Sequence, residues 1–391
     1  MSPKSTLLFA GGGTGGHVYP MIAVAEAVRS IAPELKLVFV GTARGLEAKI
    51  VPERGFELEL LEVLPIRGGG LRGAVKGATR AALLLPEARA LLKQLSPAAV
   101  FSVGGYAAGP VSLAAWFAGV PLALLEPNSV IGLANRVVAP IVDRAYTAFP
   151  ESEKHFKKGR VLRAGVPIRQ GFSAQPYQAA EALRILVLGG SQGAKALNEN
   201  VPQALARTTV DVRVVHQCGP GHDEAVRALY GELGLAARAT VVSFIDDMPR
   251  AIAGADLIVG RSGASAVSEI CAVGRPSILV PYPFAAGDHQ RMNALSLEQA
   301  GAAECVASAD ASAERLASEI ERLAGDRSLL SAMAHAAQSL GRPDAARAIA
   351  IDLLQLAGLE SGASESKSDR DRTPSSSADL RHDFSGGLVN V

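Results

Sequence analysis

The amino-acid sequence predicts an α/β protein built from two parallel-sheet domains, and three observations carry that prediction. From Thr6 to about Ala164 apolar strand-like runs alternate with helical ones, and from Arg184 the alternation begins again. In each half the first strand runs straight into glycines, at positions 11, 12, 13, 15 and 16 and again at 189, 190 and 193. Alternation of this kind builds a parallel sheet covered by helices on both faces. A chain of 391 residues suits two such cores better than one.

In the first half the pattern gives a strand at Leu7–Ala10 and a helix from Pro20 to Ile31, with Pro20 suited to a first helical position. Strands at Leu35–Val40 and Phe56–Leu61 and a long helix from about Leu71 to Leu95 follow. Pro97 to Leu125 contains no charged residue and by length alone is long enough to span a membrane. Gly104-Gly105, Gly109-Pro110 and Gly119 to Pro121 cut it into a strand (Ala98–Ser102), a short helix near Val111–Ala118 and a strand (Leu122–Leu125), the texture of a buried parallel sheet. Strands at Arg144–Ala148 and Val161–Ala164 end a first domain of residues 1–164. Gly165 to Gln178 holds two prolines and little periodicity, so 165–183 reads as a linker.

The second domain, 184–342, has strands at Ile185–Leu188, Val212–Gln217, Thr240–Phe244, Leu257–Val259 and Ser277–Val280. Helical segments near Lys195–Ala206, Asp223–Leu235, Ala264–Ala272 and Gln290–Ala300 are interleaved with them. Three alanine-rich helical segments follow at 313–324, 328–340 and 343–357, the last (343–358) expected to pack back towards the first domain. From 359 to 391 apolar residues are too sparse for a core, and disorder is expected. Asp369-Arg370-Asp371 in that tail has the DxD spacing of metal-dependent sugar transferases, but a disordered segment cannot preorganise a cation, so the spacing reads as chance.

Composition excludes several classes. A formal net charge of +1 gives no whole-molecule attraction to nucleic acid. Cys218, Cys271 and Cys305 lack CxxC or Cys/His spacing, which argues against a disulfide framework or a zinc site and fits a reducing compartment. The N-terminus enters a strand almost at once, without the pattern of a secretory signal.

The chemistry therefore rests on the glycine loops. Each is a phosphate-sized cradle at a helix N-terminus, where backbone N–H groups can face an anion. Gly11, Gly13 and Gly16 satisfy the dinucleotide fingerprint G-x-G-x-x-G, but the acidic ribose ligand expected at the end of the second strand is missing, since that strand ends in Gly41-Thr42-Ala43. The Walker pattern is absent too. The first loop carries Thr14 and His17. A histidine there suits proton removal near neutral pH, as base or as the base's partner, or it simply hydrogen-bonds at the helix start.

Five segments in order, GGGTGGHVYP, GGSQGAKALN, FIDDMP, RSGASAVSE and DHQRMNA, give the chain a resemblance to the MurG family of peptidoglycan N-acetylglucosaminyltransferases, of glycosyltransferase family 28. It runs from about residue 5 to residue 357. The resemblance implies the GT-B architecture, two Rossmann-like domains facing across a cleft. It also implies metal-independent, inverting transfer of GlcNAc from UDP-GlcNAc to the 4-hydroxyl of MurNAc in lipid I (undecaprenyl-pyrophosphoryl-MurNAc-pentapeptide), giving lipid II, with no cofactor. It implies a peripheral place on the cytoplasmic face of the cell inner membrane, with other cell-wall synthesis proteins as possible partners.

Carried over residue by residue, the resemblance assigns catalysis to His17 and Glu126, and acceptor binding to Gly12, Gly13, Thr14, Gly15, His17, Tyr106, Asn128 and Asn135. It assigns the donor to Thr14, Gly15, Gly16, Asn128, Arg169, Ser191, Gln192, Gly193, Ile245, Arg261, Ser262, Glu269, Gln290 and Asn293. Physics fits these roles. Ser191, Gln192 and the loop amides suit a diphosphate, with Arg261 or Arg169 neutralising charge as UDP departs. Glu269 suits the ribose hydroxyls, or alternatively serves its helix dipole. Gln290 and Asn293 suit sugar hydroxyls, or are plain helix polars. Leu125, Pro127 and Val166 depart from the family's usual His, Gln and Asn.

A lipid-linked acceptor calls for a membrane approach. Arg67, Arg72, Lys76 and Arg80 form a basic stripe suited to an anionic membrane surface, or an ordinary solvated face, and Trp116 is an interfacial anchor or a core residue. The competing readings are a nicotinamide or flavin oxidoreductase, another UDP-sugar enzyme such as a UDP-GlcNAc 2-epimerase or a glycolipid synthase, and a non-enzymatic UDP-sugar sensor.

Overall fold

The computed structural model describes residues 5–62, 83–105 and 107–359. The basic stripe (Arg67, Arg72, Lys76, Arg80), Tyr106, the first part of the helix expected over 71–95, and the tail from residue 360 lie outside the described residues.

Strands β1 (Thr6–Gly11), β2 (Lys36–Gly41), β3 (Glu57–Leu60), β4 (Ala99–Gly104), β5 (Leu122–Glu126), β6 (Arg144–Thr147) and β7 (Val161–Arg163) form one sheet in the order β3-β2-β1-β4-β5-β6-β7. All its pairs are parallel. The second sheet comprises β8 (Leu183–Leu188), β9 (Val212–Gln217), β10 (Ala239–Val242), β11 (Leu257–Gly260), β12 (Ser277–Leu279) and β13 (Ala303–Cys305). Its order is β10-β9-β8-β11-β12-β13, again all parallel. Both are doubly wound, and in each the order reverses beside the first strand, between β1 and β4 and between β8 and β11. Ligands of such sheets bind beyond the strands' carboxyl ends at that reversal.

Parallel strands covered on both faces are buried along their length, which is why central strands β1, β4, β5 and β11 run largely apolar, whereas β3 (ELEL) and β9 (VRVVHQ) keep exposed positions. One face of the first sheet packs Phe9, Phe39, Phe56, Phe101 and Tyr146 beneath helix α1 (Gly15–Ile31), with Phe9 and Phe39 stacked at 5.1 Å. The other face lies under α3 (Leu85–Leu95) and α4 (Ala108–Phe117), after α2 (Glu47–Glu53) in the chain. The strands of the uncharged segment are therefore core, with β4 and β5 fully buried, while the end of α4 at Trp116 and Phe117 is exposed; among the described residues no helix is long and apolar enough to cross a membrane.

In the second half, α7 (Lys195–Arg207), α8 (Asp223–Glu232), α9 (Met248–Ala253), α10 (Ala264–Val273), α11 (His289–Gln299), α12 (Ala313–Gly325) and α13 (Arg327–Leu340) cover the sheet; short α5 (Leu133–Val138) and α6 (Pro150–Glu153) precede it. The last helix, α14 (Ala345–Leu356), packs on the first half, burying Ile349, Leu353 and Leu354 beside α1. Those three side chains contribute roughly 5 kcal/mol of apolar burial. Tyr146 Oη donates to Asp352 at 2.8 Å, tying this helix to β6. Phe149, Ile168 and Phe172, around the join between the halves, are buried in the second core.

Helix α1 starts at Gly15, not at Pro20. Thr14 is extended, and its carbonyl accepts both His17 N and Val18 N at 3.1 Å, so the helix is nucleated before the proline, which lies inside it. His17 consequently occupies the first turn.

Candidate functional site

At the end of β1 the chain turns through Gly12 (φ 148°) and Gly13 (φ 91°), backbone angles that a side chain would strain. The turn after β4 lies against it: a Cβ on Gly105 would stand 2.5 Å from Gly12 O. His17 Nδ1 is 3.1 Å from Gly12 O, and since a carbonyl can only accept, Nδ1 carries the proton and Nε2 the lone pair. Nε2 has no partner among the described residues. Protein packed around the ring lowers the His17 pKa below the usual histidine value; the Gly12 bond and Glu47 oppose this, and nearby His289 reinforces it.

An acidic residue does meet the first loop, but from a helix that the sequence reading did not anticipate. Glu47, at the start of α2 and fully buried, accepts Gly13 N at 2.7 Å, Thr42 N at 2.9 Å and Thr42 Oγ1 at 3.0 Å. The amide of Gly13 at the middle of the cradle, which the resemblance assigns to acceptor binding, is thus already engaged by an internal carboxylate.

Glu126, at the end of β5, is 1% exposed. Its Oε1 accepts Asn128 N at 3.0 Å and Asn128 Nδ2 at 3.4 Å; its Oε2 accepts Gly132 N at 3.0 Å and Asn135 Nδ2 at 2.9 Å. Burial pushes this carboxyl's pKa up, while the donors pull against that. With its lone pairs directed inward, Glu126 organises the 126–135 loop and has no free oxygen for a substrate hydroxyl. Asn135, which sequence reading assigned to the acceptor, is 4% exposed and spans Glu126 and Leu125 O. Leu125, where the family has histidine, is fully buried core.

In the second half Gln217, at the end of β9, clamps the glycine loop. Its Oε1 accepts Gly190 N at 3.1 Å, and its Nε2 donates to Gly190 O at 3.0 Å and Ser243 O at 3.1 Å. Gly193 (φ 76°) presses on the neighbouring strand end, where a Cβ would be 2.2 Å from Cys218 O. Ser191 and Gln192 are exposed at the tip. Ser243, two residues before Ile245, which the resemblance assigns to the donor, is therefore tied to the second glycine loop through one amide side chain.

Glu269, in α10, receives Arg169 Nη2 at 3.3 Å; burial raises its pKa, and Arg169 opposes the rise. Arg169 also stands over the Tyr19 ring at 6.0 Å, joining the linker to α1. Arg261 is committed elsewhere: its Nη1 donates to Val280 O, Pro281 O and Ser308 Oγ at 2.9–3.0 Å, and desolvation lowers its pKa. Ser265 Oγ, in the first turn of α10, is buried without a hydrogen-bond partner among the described residues.

The two halves meet at Asn293. Fully buried in α11, its Oδ1 accepts Ser129 N at 3.0 Å and Ser129 Oγ at 2.8 Å, while its Nδ2 donates to Ser262 O at 3.2 Å and reaches Asn128 Oδ1 at 3.4 Å. Gln290 Oε1 accepts Tyr282 N, and Gln290 O accepts Ser262 Oγ. Asn128, Ser262, Gln290 and Asn293 thus share one network, but the Asn293 amide is spent bridging the halves and is not left for a sugar. The residues of this site that sequence reasoning missed are Glu47, Gln217, Ser129 and Ser265. Only Gln217 left a signal, as an amide at the end of a strand directly before Cys218-Gly219.

Residues 7–147 match the glycosyltransferase family 28 N-terminal domain, and residues 184–349 match the C-terminal domain of that family. The chain is 58% identical over 358 residues to the UDP-N-acetylglucosamine--N-acetylmuramyl-(pentapeptide) pyrophosphoryl-undecaprenol N-acetylglucosamine transferase of Sorangium cellulosum, covering 90% of this chain and 88% of that one. A protein of the same name from an Anaeromyxobacter species is 44% identical, covering 90% and 92%. Among solved structures, Acinetobacter baumannii MurG aligns with a TM-score of 0.74 at 34% identity, covering 90% of this chain and 99% of that one.

Proposed function

The chain belongs to glycosyltransferase family 28, and from that membership we infer the reaction and where its parts sit. The protein is a UDP-GlcNAc-dependent glycosyltransferase that moves GlcNAc onto lipid I to form lipid II. The observation that best supports our placement is the Asn128–Asn293–Ser262 bridge, which holds the carboxyl ends of the two sheets together with His17 on one side and Glu269 on the other.

In our reading, residues 1–164 hold the acceptor and 184–342 the donor, joined by the linker 165–183, with the helix in 343–358 bracing the first half. The 4-hydroxyl oxygen of MurNAc attacks the anomeric carbon of GlcNAc from the face opposite the diphosphate. Its proton passes to Nε2 of His17 as the bond to the β-phosphate oxygen breaks, and that bond's electron pair leaves with UDP, so the anomeric centre inverts. Amides of Ser191 and Gln192 and the start of α10 receive the diphosphate, a placement in which preorganised donors meet growing negative charge without reorganising. A phosphate oxygen there would also satisfy Ser265 Oγ, whose lone state in a buried site otherwise costs on the order of 1–3 kcal/mol. Glu269 takes the ribose hydroxyls, and backbone at Ile245 takes the uracil edge. Glu126 positions the 126–135 loop around the acceptor and is not the base.

The membrane-facing side falls on the first half. Trp116 (48% exposed) and Phe117 (53%) lie ring to ring at 4.8 Å, tilted by 53°, with Arg89 over the Phe117 ring, and Leu83, Leu133 and Val137 of the same half are also exposed. Exposed apolar side chains with adjacent cations suit peripheral docking on an anionic bilayer at the cytoplasmic face. UDP release from UDP-GlcNAc, measured with and without a short-chain lipid I analogue, tests the function. Release that depends on the analogue and yields the disaccharide product is expected. Epimerised sugar or free GlcNAc formed from donor alone would overturn it.

A further inference from the structure

One peptide unit lies between a buried carboxylate and the proposed base. The N–H of Gly13 and the C=O of Gly12 belong to the same peptide bond. The first donates to Glu47 Oε2 at 2.7 Å and the second accepts from His17 Nδ1 at 3.1 Å. We propose that Glu47 is a positioning residue that acts on His17 through this peptide: the carboxylate polarises the Gly12–Gly13 amide, which fixes His17 as the Nδ1–H tautomer with Nε2 free to take the acceptor's proton. The inference rests on His17 as base.

The local construction is specific to this purpose. A Cβ on Gly12, Gly41 or Gly45 would fall 2.2, 2.3 or 2.0 Å from the Glu47 side chain, so three glycines leave room for one carboxyl group. Thr42 N and Oγ1 hold its other oxygen, which fixes Oε2 on Gly13. A hydrogen bond to a carboxylate is stronger than one between neutral groups, and linked bonds polarise one another in a low dielectric. A carboxylate holding imidazole in one tautomer is the arrangement of the serine-protease triad, with a peptide here in place of direct contact. Among the described residues two titratable groups face His17: Glu47 from α2, which favours the imidazolium, and His289 from the start of α11, which disfavours it.

The test uses the full-length protein and Glu47→Gln, which keeps the shape and removes the charge. Nitrogen-15 NMR of wild-type His17 should show the Nδ1–H tautomer, and an Nε2–H tautomer would overturn the proposal without any variant being made. In Glu47→Gln the His17 titration midpoint should fall by about one pH unit, because the imidazolium loses a favourable charge. The acid limb of kcat should move down with it, kcat on the plateau should drop about tenfold through weaker basicity, and UDP-GlcNAc binding should stay unchanged. An unmoved midpoint in a variant that still binds UDP-GlcNAc refutes the relay. A midpoint that moves while kcat does not leaves the relay standing and refutes His17 as base.

Discussion

The two halves repeat one fold, yet their glycine loops are held by opposite chemistry. In the first, a carboxylate from α2 takes the central amide, placing a negative charge under the turn. In the second, the neutral Gln217 amide takes both the N–H and the C=O of Gly190 and leaves the tip exposed. A doubly negative diphosphate is repelled by the first arrangement and tolerated by the second. The difference teaches that a glycine-loop motif alone does not specify an anion site; what matters is the charge the rest of the domain brings beneath it. On this comparison, we read the first loop as a scaffold for His17 and propose the second as the receptor for UDP.

The support under each loop differs as well, and acid should expose it with the largest effect. Below the second loop, fully buried His216 bonds Tyr230 Oη at 3.0 Å and Asn198 Oδ1 at 3.1 Å, and Asn198 donates to Cys218 O, the carbonyl against which Gly193 packs. The first half has aromatic packing, Phe9 on Phe39, at the corresponding depth. Burial pushes the His216 pKa down to about 4, from 6.5 when unfolded, so between those values the unfolded chain binds the extra proton. Stability is therefore fully present above pH 6.5 and falls as pH drops towards 4, by about 3 kcal/mol from this group. Denaturant melts from pH 7 to 4.5, followed by circular dichroism for both halves and by Trp116 fluorescence for the first, should show the second half weakening more. A His216→Leu protein should lose that slope, and equal slopes in the two proteins would sink the assignment.

The next effect belongs to the first loop. His17→Ala should lower kcat by about a hundredfold, the scale of general base catalysis, while the Kd for UDP-GlcNAc measured by calorimetry stays near its wild-type value. The comparison breaks if donor affinity falls in parallel, because the first loop would then hold part of the donor. The lowered His17 pKa adds a pH signature: the wild-type kcat should hold as pH falls through the ordinary histidine range and decline only below it, since the ring stays neutral and able to accept a proton.

How much of this was legible in the sequence follows from the range of the interactions. The sheet strands could be read because burial on both faces forces apolar runs, and the loops because glycine is the residue that tolerates φ of 91° at Gly13 or 76° at Gly193. Helix α2 was missed: seven residues, with Pro52 inside and Gly45 before it, carry too little periodicity to register. With it went Glu47, thirty-four positions from its partner Gly13, where the fingerprint looks for an acid about twenty positions on. Asn293 was identified as a site residue but not as the bridge between halves, because its partner Ser129 is 164 positions away and no local pattern encodes that pairing. Glu126 entered through the family resemblance, and the four donors that occupy its carboxylate, on residues 128 to 135, are not encoded by any pattern that sequence reading used.

The sharpest use of the comparison is to give the second loop the charge of the first. Gln217→Glu keeps the side-chain length at the end of β9 and replaces a neutral clamp by a carboxylate beneath Gly190. Its oxygen can still accept Gly190 N, as Glu47 accepts Gly13 N, but the two bonds that Nε2 donates, to Gly190 O and Ser243 O, are lost. Two effects then act on the donor in the same direction. A negative charge near the diphosphate opposes binding, and release of Ser243 O loosens the stretch leading to Ile245. UDP affinity should fall about tenfold or somewhat more, roughly 1.4 kcal/mol, the size of one partly screened charge contact. Gln217→Met, apolar and without a charge, removes those two bonds and the one from Gly190 N as well, so it measures the loss of the clamp alone: only the Glu variant should recover affinity as ionic strength rises. If both variants weaken UDP equally and salt changes neither, Gln217 acts by geometry alone. The contrast of charge between the two loops would then have no part in choosing which one receives the nucleotide.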